Sequence, residues 1–282
     1  MTGPVIKIIA DSVCDVPRDL AARLDITLIP TVVNIGAQSY LDDDVQLPRS
    51  EFFRLMPTLK ALPTTSACPL GLTRDMIAAR AAEADHLILL AAPAHLSAIY
   101  NNFRLAAEEY APGRYTLIDS GQVTMGAGIL VLAAAEMAAE GASIEAITAR
   151  IQAMQPRIYV YGALSTLDNL RKSGRVSWAT AMAGRILDIK PVVSLSQGDV
   201  RSMGNIRTFK RALSFLIDLA RERAPLERLA VMHTANLAGA MTVRDALADL
   251  FPPDETLIVE ANPSLGTHVG AQAVGVALVT KA

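Results

Sequence analysis

The chain has 282 residues, 51% of them hydrophobic and 5% aromatic, with 26 Lys plus Arg against 28 Asp plus Glu and a formal net charge of −2. It can bury a sizeable core, as two α/β lobes or one large domain. The even charge balance gives no basic stripe for nucleic acid and no basic amphipathic segment for a membrane surface.

In chain order, residues 5–10 form a β-branched apolar run interrupted only by Lys7, the pattern of a strand buried on both faces. The run enters Asp11-Ser12-Val13-Cys14-Asp15-Val16-Pro17, an acidic loop at a strand's C-terminal end, where open α/β sheets place ligands. Asp15 ahead of Pro17 reads equally well as the cap of a helix over 18–24. A strand is predicted over 28–34 and a helix over 49–56. The Asp42-Asp43-Asp44 run before that helix is read as a solvated loop rather than a metal site.

Leu62-Pro63-Thr64-Thr65-Ser66-Ala67-Cys68-Pro69 is the most informative stretch. Three hydroxyl residues lie between two backbone-restricting prolines, just before a helix predicted over 72–84. Hydroxyls beside a helix N-terminus make a seat for a carboxylate or phosphate; an ordinary N-cap is the competing reading. A strand over 87–92 follows, then Ser97 near the start of another helix, then a strand over 115–118. Gly126 and Gly128 supply two glycines of a dinucleotide fingerprint, but the third glycine and a downstream acid are missing. Strand–loop–helix repetition to about residue 155 predicts a parallel sheet with right-handed crossovers.

The second half reads as an α+β domain. Strands are predicted over 159–164, 190–195, 229–233, 257–261 and 274–279, with helices over 167–173, 207–223 and 239–250. Gln197-Gly198-Asp199-Val200 is a hairpin turn, and 262–270 is loop-like and carries His268. The expected division is 1–155 and 156–282. Four histidines without metal-ligand spacing argue against a metal. The longest apolar run, 127–135, is too short to span a bilayer, residues 1–10 do not read as a signal peptide, and two cysteines make no disulfide framework. A soluble, cytoplasmic protein without stable membrane insertion is expected.

The ordered set of motifs is more specific than any one of them. Asp-Ser-x-Cys-Asp-x-Pro at 11–17 is followed by Pro-Thr-Thr-Ser at 63–66, Leu-Ser-x-x-Tyr at 96–100 and Ile-Asp-Ser at 118–120. Then come Leu-x-x-Leu-x-Lys-Ser-Gly-Arg at 167–175, Ile-Lys-Pro at 189–191, Arg-Thr-x-Lys-Arg-Ala at 207–212 and His268-Val-Gly. Over nearly the whole chain this resembles the DegV family of bacterial fatty-acid-binding proteins. The resemblance implies a two-lobed α/β fold with one long-chain fatty acid in an apolar tunnel between the lobes. It assigns the carboxylate to Thr64, Thr65, Ser66, Ser97 and His268, and puts Arg175 and Arg207 near the tunnel mouth or on a surface that docks a fatty acid kinase. It implies no catalysis and no cofactor beyond the bound fatty acid. Relatives usually carry Ser-Ser where this chain has Pro93-Ala94, and Gly, often with Thr, where it has Ala98-Ile99 after Ser97.

Elementary energetics fit a carrier. At about 0.8 kcal/mol per methylene, a sixteen-carbon tail supplies roughly 10 kcal/mol before ordering costs. Each hydrogen bond to the carboxylate adds about 1.5–3 kcal/mol. The tail would set affinity and the head group selectivity. The reading from another class is an acyl- or phosphoryl-transfer enzyme with Ser66 or Ser97 as nucleophile and His268 as base. Neither a Gly-x-Ser-x-Gly elbow nor a Walker-type loop supports it.

Overall fold

A computed structural model describes residues 4–181 and 189–282. The chain begins with β1 (Ile6–Asp11), α1 (Arg18–Arg23), β2 (Ile26–Ile29), β3 (Val32–Ile35), β4 (Gln38–Leu41) and α2 (Arg49–Leu55). There follow β5 (Thr64–Ser66), α3 (Leu70–Ala82), β6 (His86–Ala91), α4 (Ile99–Tyr110), β7 (Tyr115–Asp119), α5 (Thr124–Ala139) and α6 (Ile144–Met154). The remainder is β8 (Ile158–Ala163), α7 (Asp168–Ser173), α8 (Ser177–Ala181), β9 (Lys190–Ser196), β10 (Asp199–Ile206), α9 (Phe209–Arg221), β11 (Leu226–His233), α10 (Leu237–Ala246), β12 (Leu257–Glu260), α11 (Pro263–Val269) and β13 (Val274–Thr280).

Two compact units emerge: Met1–Val32 with Ser66–Pro156, and Val33–Thr65 with Arg157–Ala282. This differs from a single cut near residue 155. The predicted strand over 28–34 is in fact two strands, because Pro30 has no N–H to give a ladder and the strand is interrupted at residues 30 and 31. The first, β2, pairs in register with β1, and the second, β3, starts a different sheet.

In the first unit, the order β2-β1-β6-β7 makes the expected all-parallel sheet. Its central strands are largely apolar, Lys7 in β1 and His86 at the start of β6 apart, as a sheet covered on both faces requires; Ile9, Leu87 and Leu89 are fully enclosed with Ile77 and Phe103. Asp11, at the end of β1, accepts from Ala92 N at 2.8 Å and from Val13 N at 2.9 Å. Burial pushes its carboxyl up to about 6 despite those two donors. Asp15, at φ 59°, accepts from the Thr124 hydroxyl at 2.6 Å, while Pro17 heads α1. These acids tie the sheet's C-terminal ends together internally. Gly128 is a packing residue: a Cβ there would stand 2.5 Å from the Cys14 carbonyl oxygen. Gly128 thus lets an almost wholly buried helix approach the loop after β1.

The second unit holds a six-stranded sheet of order β10-β9-β8-β13-β11-β12, antiparallel except between β11 and β12, and a three-stranded sheet β4-β3-β5. Gln197 (φ 49°) and Gly198 (φ 82°) form the two-residue turn between β9 and β10, the conformation such hairpins favour. No helix among the described residues is long and apolar enough to cross a membrane.

Close approaches at glycine give opposite expectations for one substitution. Gly128→Ala, and Gly266→Ala, where the added carbon would lie 2.5 Å from the Phe53 ring, should each cost roughly 1–3 kcal/mol. Gly71→Ala, in α3 with open space around it, should stabilise by about 0.5–1 kcal/mol. Urea midpoints of the three variants check the signs.

Candidate functional site

The segment Val33–Thr65 ends in Thr65 and belongs, with His268, to the second unit. The hydroxyl triplet does not form a helix N-cap, the competing reading of the sequence. Thr64–Ser66 is a short strand beside β3, and α3 starts only at Leu70, with Pro69 at its N-cap and no side-chain cap. β-branched threonines favour the extended form, and a residue before proline is held extended too. Strand alternation leaves Thr64 and Ser66 exposed and turns Thr65 inward.

His268 lies on a helix, not in the predicted loop. Asn262 accepts from Leu265 N at 2.7 Å as the N-cap of α11, and Pro263 occupies the first helical position. That pair of signals stands in the sequence and identifies the helix start. Asp42, predicted to lie in a solvated loop, is buried, and its Oδ2 accepts from Ser264 N at 3.0 Å. The two neighbouring acids also serve the backbone. Asp43 accepts from Val45 N and Gln46 N, and Asp44 from Arg49 N.

The centre of the site is one contact. Thr65 Oγ1 and His268 Nε2 are 3.0 Å apart, joining residues 203 positions distant in sequence. The His268 side chain is half-buried, but its Nδ1 is fully enclosed and has no hydrogen-bond partner among the described residues. Burial, and secondarily the Arg175 guanidinium, pushes the imidazole down to about 4, so it is neutral at neutral pH. The neutral pair carries one N–H and one O–H proton, and the mutual hydrogen bond uses one of them. If Nε2–H donates, the threonine O–H is left over; if the hydroxyl donates, Nδ1–H is left over. In the first tautomer the pair presents the threonine O–H as a free donor, which suits an acceptor-rich head group such as a carboxylate; in the second the spare donor is on the enclosed Nδ1.

Arg175 is exposed just after α7 and donates to the Ser173 carbonyl at 2.7 Å, and its charge is felt at His268. Thr64 Oγ1 accepts from Asn34 Nδ2 at 3.4 Å. Arg207 is exposed ahead of α9. Ser66 and Ser97 belong to the first unit, where the Ser97 hydroxyl oxygen accepts from Ile99 N at 3.3 Å in its own turn. Among the described residues no group of three or more His, Cys, Asp or Glu side chains is placed to hold a metal ion. Sequence reasoning missed Asp42 and also Asn169, whose Nδ2 donates to the Thr267 carbonyl at 3.1 Å. Nothing local distinguishes either from a surface polar residue.

Comparison with known proteins agrees with the motif order. The family model for DegV, described as an uncharacterised protein family, matches residues 5–281. A DegV domain-containing protein of Caldanaerobacter subterraneus is 30% identical over 277 residues, which is 96% of this chain and 97% of that protein. A structure described as showing fatty acid binding of a DegV family protein from Thermus thermophilus is similar with a TM-score of 0.89 and 29% identity, covering 98% of this chain and 99% of that one. A fatty acid binding DegV family protein from Streptococcus agalactiae matches with a TM-score of 0.86 and 25% identity, again over 98% and 99% of the two chains. By its ordered motifs, its fold and this near-complete match, the chain belongs to the DegV family.

Proposed function

We propose that this protein is a non-catalytic carrier of a long-chain fatty acid and that it receives the carboxylate at Thr65 and His268. The observation that carries the reading is the 3.0 Å Thr65–His268 contact beside an enclosed, unpartnered Nδ1. A neutral donor pair near a guanidinium favours an anionic head. The Thermus thermophilus and Streptococcus agalactiae relatives, described as fatty-acid-binding, support the ligand class. Thr64, Ser66 and Ser97 complete the hydroxyl set in this proposal. The transferase reading is weaker, because a histidine pushed down to about 4 is a poor base at neutral pH.

Protein purified from a bacterial host should yield an acyl chain on organic extraction, seen by mass spectrometry. Thr65→Val should lower palmitate affinity roughly tenfold to a hundredfold, the worth of one hydrogen bond to a charged group. An extract free of acyl chains, together with no palmitate binding by the unmodified protein, rules the proposal out. Presentation of the bound acid to a fatty acid kinase, with exposed Arg175 and Arg207 on the docking face, belongs to the same proposal. Arg207→Glu should slow acyl-phosphate formation by such a kinase while palmitate affinity stays the same.

The histidine also predicts a pH dependence of stability. In the unfolded chain it titrates near 6.5, and in the folded protein at about 4. Between those values the unfolded chain binds a proton the folded one does not, so stability from this residue is lost as pH falls from 6.5 to 4. The loss amounts to about 3 kcal/mol. Asp11 acts oppositely: its carboxyl, raised from 3.8 to about 6, adds stability as pH falls through that range. The stability difference between the unmodified protein and His268→Gln isolates the histidine. It should shift in favour of the variant between pH 7 and pH 4, as read from urea titrations at each pH.

A further inference from the structure

We infer that Asp42 and Asn169 are positioning residues that clamp α11 at both ends and thereby hold the His268 imidazole against Thr65. Both are almost fully enclosed, at 4% and 6% exposure. Neither side chain reaches α11 through its side chains. Asp42 Oδ2 accepts from the backbone N–H of Ser264 in the first turn. Asn169 Nδ2 donates to the backbone carbonyl of Thr267, the residue before His268. The two grips come from different segments, the loop between β4 and α2 and the buried face of α7.

A helix of seven residues has little stability of its own, so its orientation is set by what holds it. Its underside is fixed by Gly266, which lies so close to Phe52 and Phe53 that an added Cβ would stand 3.0 Å from the first ring and 2.5 Å from the second. Such a floor prevents approach but does not stop the helix from sliding or turning on it; the two end grips do. The tolerance is small. The Thr65–His268 contact is 3.0 Å long, and displacement by little more than half an ångström ends a hydrogen bond. Asn169 also lies on the helix that leads into Arg175, whose charge is felt at the same imidazole. The clamp therefore fixes the ring against the hydroxyl, within the electrostatic reach of the guanidinium.

The inference rests on the fatty-acid reading for its ligand arm alone. The first measurement needs no ligand: histidine ring protons are titrated by NMR in the unmodified protein and in Asp42→Ala, Asn169→Ala and the conservative Asp42→Asn. His268 should titrate at about 4 in the unmodified protein and in Asp42→Asn. In the two alanine variants it should move up by one pH unit or more toward 6.5 as the ring loses its enclosed place, while His86 and His233 stay put. If His268 titrates unchanged in whichever alanine variant folds, the clamp is wrong and the two residues serve stability alone. The second measurement compares palmitic acid with hexadecanol. The alanine variants should lose about tenfold of the preference for the acid while keeping hexadecanol affinity, and equal losses for both ligands count against the clamp. An unmodified protein that does not prefer the acid would refute the head-group reading, and the NMR titration would still decide the clamp.

Discussion

The close contact of Gly266 with Phe52 and Phe53 is the constraint on which the site depends. It lets α2 lie directly beneath α11, and α2 belongs to the excursion Val33–Thr65 that the second unit takes from the early part of the chain. That excursion does three things within one unit. It ends in Thr65, it floors the helix bearing His268, and through Asp42 and Arg49 it holds the approach to that helix, since Arg49 also donates to the Glu260 carbonyl. Val33, Leu47, Phe52, Phe53 and Met56 form its own buried cluster, so the segment has packing of its own and does not behave as a loose loop.

The site's chemistry follows from what surrounds the imidazole. A histidine in water would be partly charged near neutral pH, whereas burial and the nearby guanidinium keep this one neutral. A neutral ring beside a hydroxyl can choose its tautomer, so it can adapt to the ligand without a net charge that must be desolvated. The fixed positive charge stays on Arg175, which is exposed and hydrated. Such a division suits a ligand whose tail supplies most of the binding energy and whose head has only to be recognised.

Much of the fold was legible because its strands are strong local signals. The apolar runs within β1 and β6, and the Gln197-Gly198 turn, all carry their own pattern. What was not legible depends on pairings across the chain. Residues 28–34 look like one strand, because Pro30 divides them without altering the apolar pattern. Thr64, Thr65 and Ser66 are chemically alike, and only their placement in a strand beside β3 singles out the middle one. Asp42 lies among three aspartates, and its partner is 222 residues away. The helical context of His268 could have been read from Asn262-Pro263, but a seven-residue helix gives little periodicity to confirm it.

The chain passes from one unit to the other at three peptide bonds, after Val32, after Thr65 and after Pro156. A fragment cut at the last of these would retain the threonine and lose the histidine, and its stretch 33–65 would be stripped of Ser264 and Gly266, the groups it covers. The complementary fragment would hold α11 with neither floor nor leading grip. The units are therefore interleaved by covalent connectivity: the second, which holds both members of the pair, is assembled from two separate stretches of chain and could not be inherited, exchanged or expressed as one contiguous module.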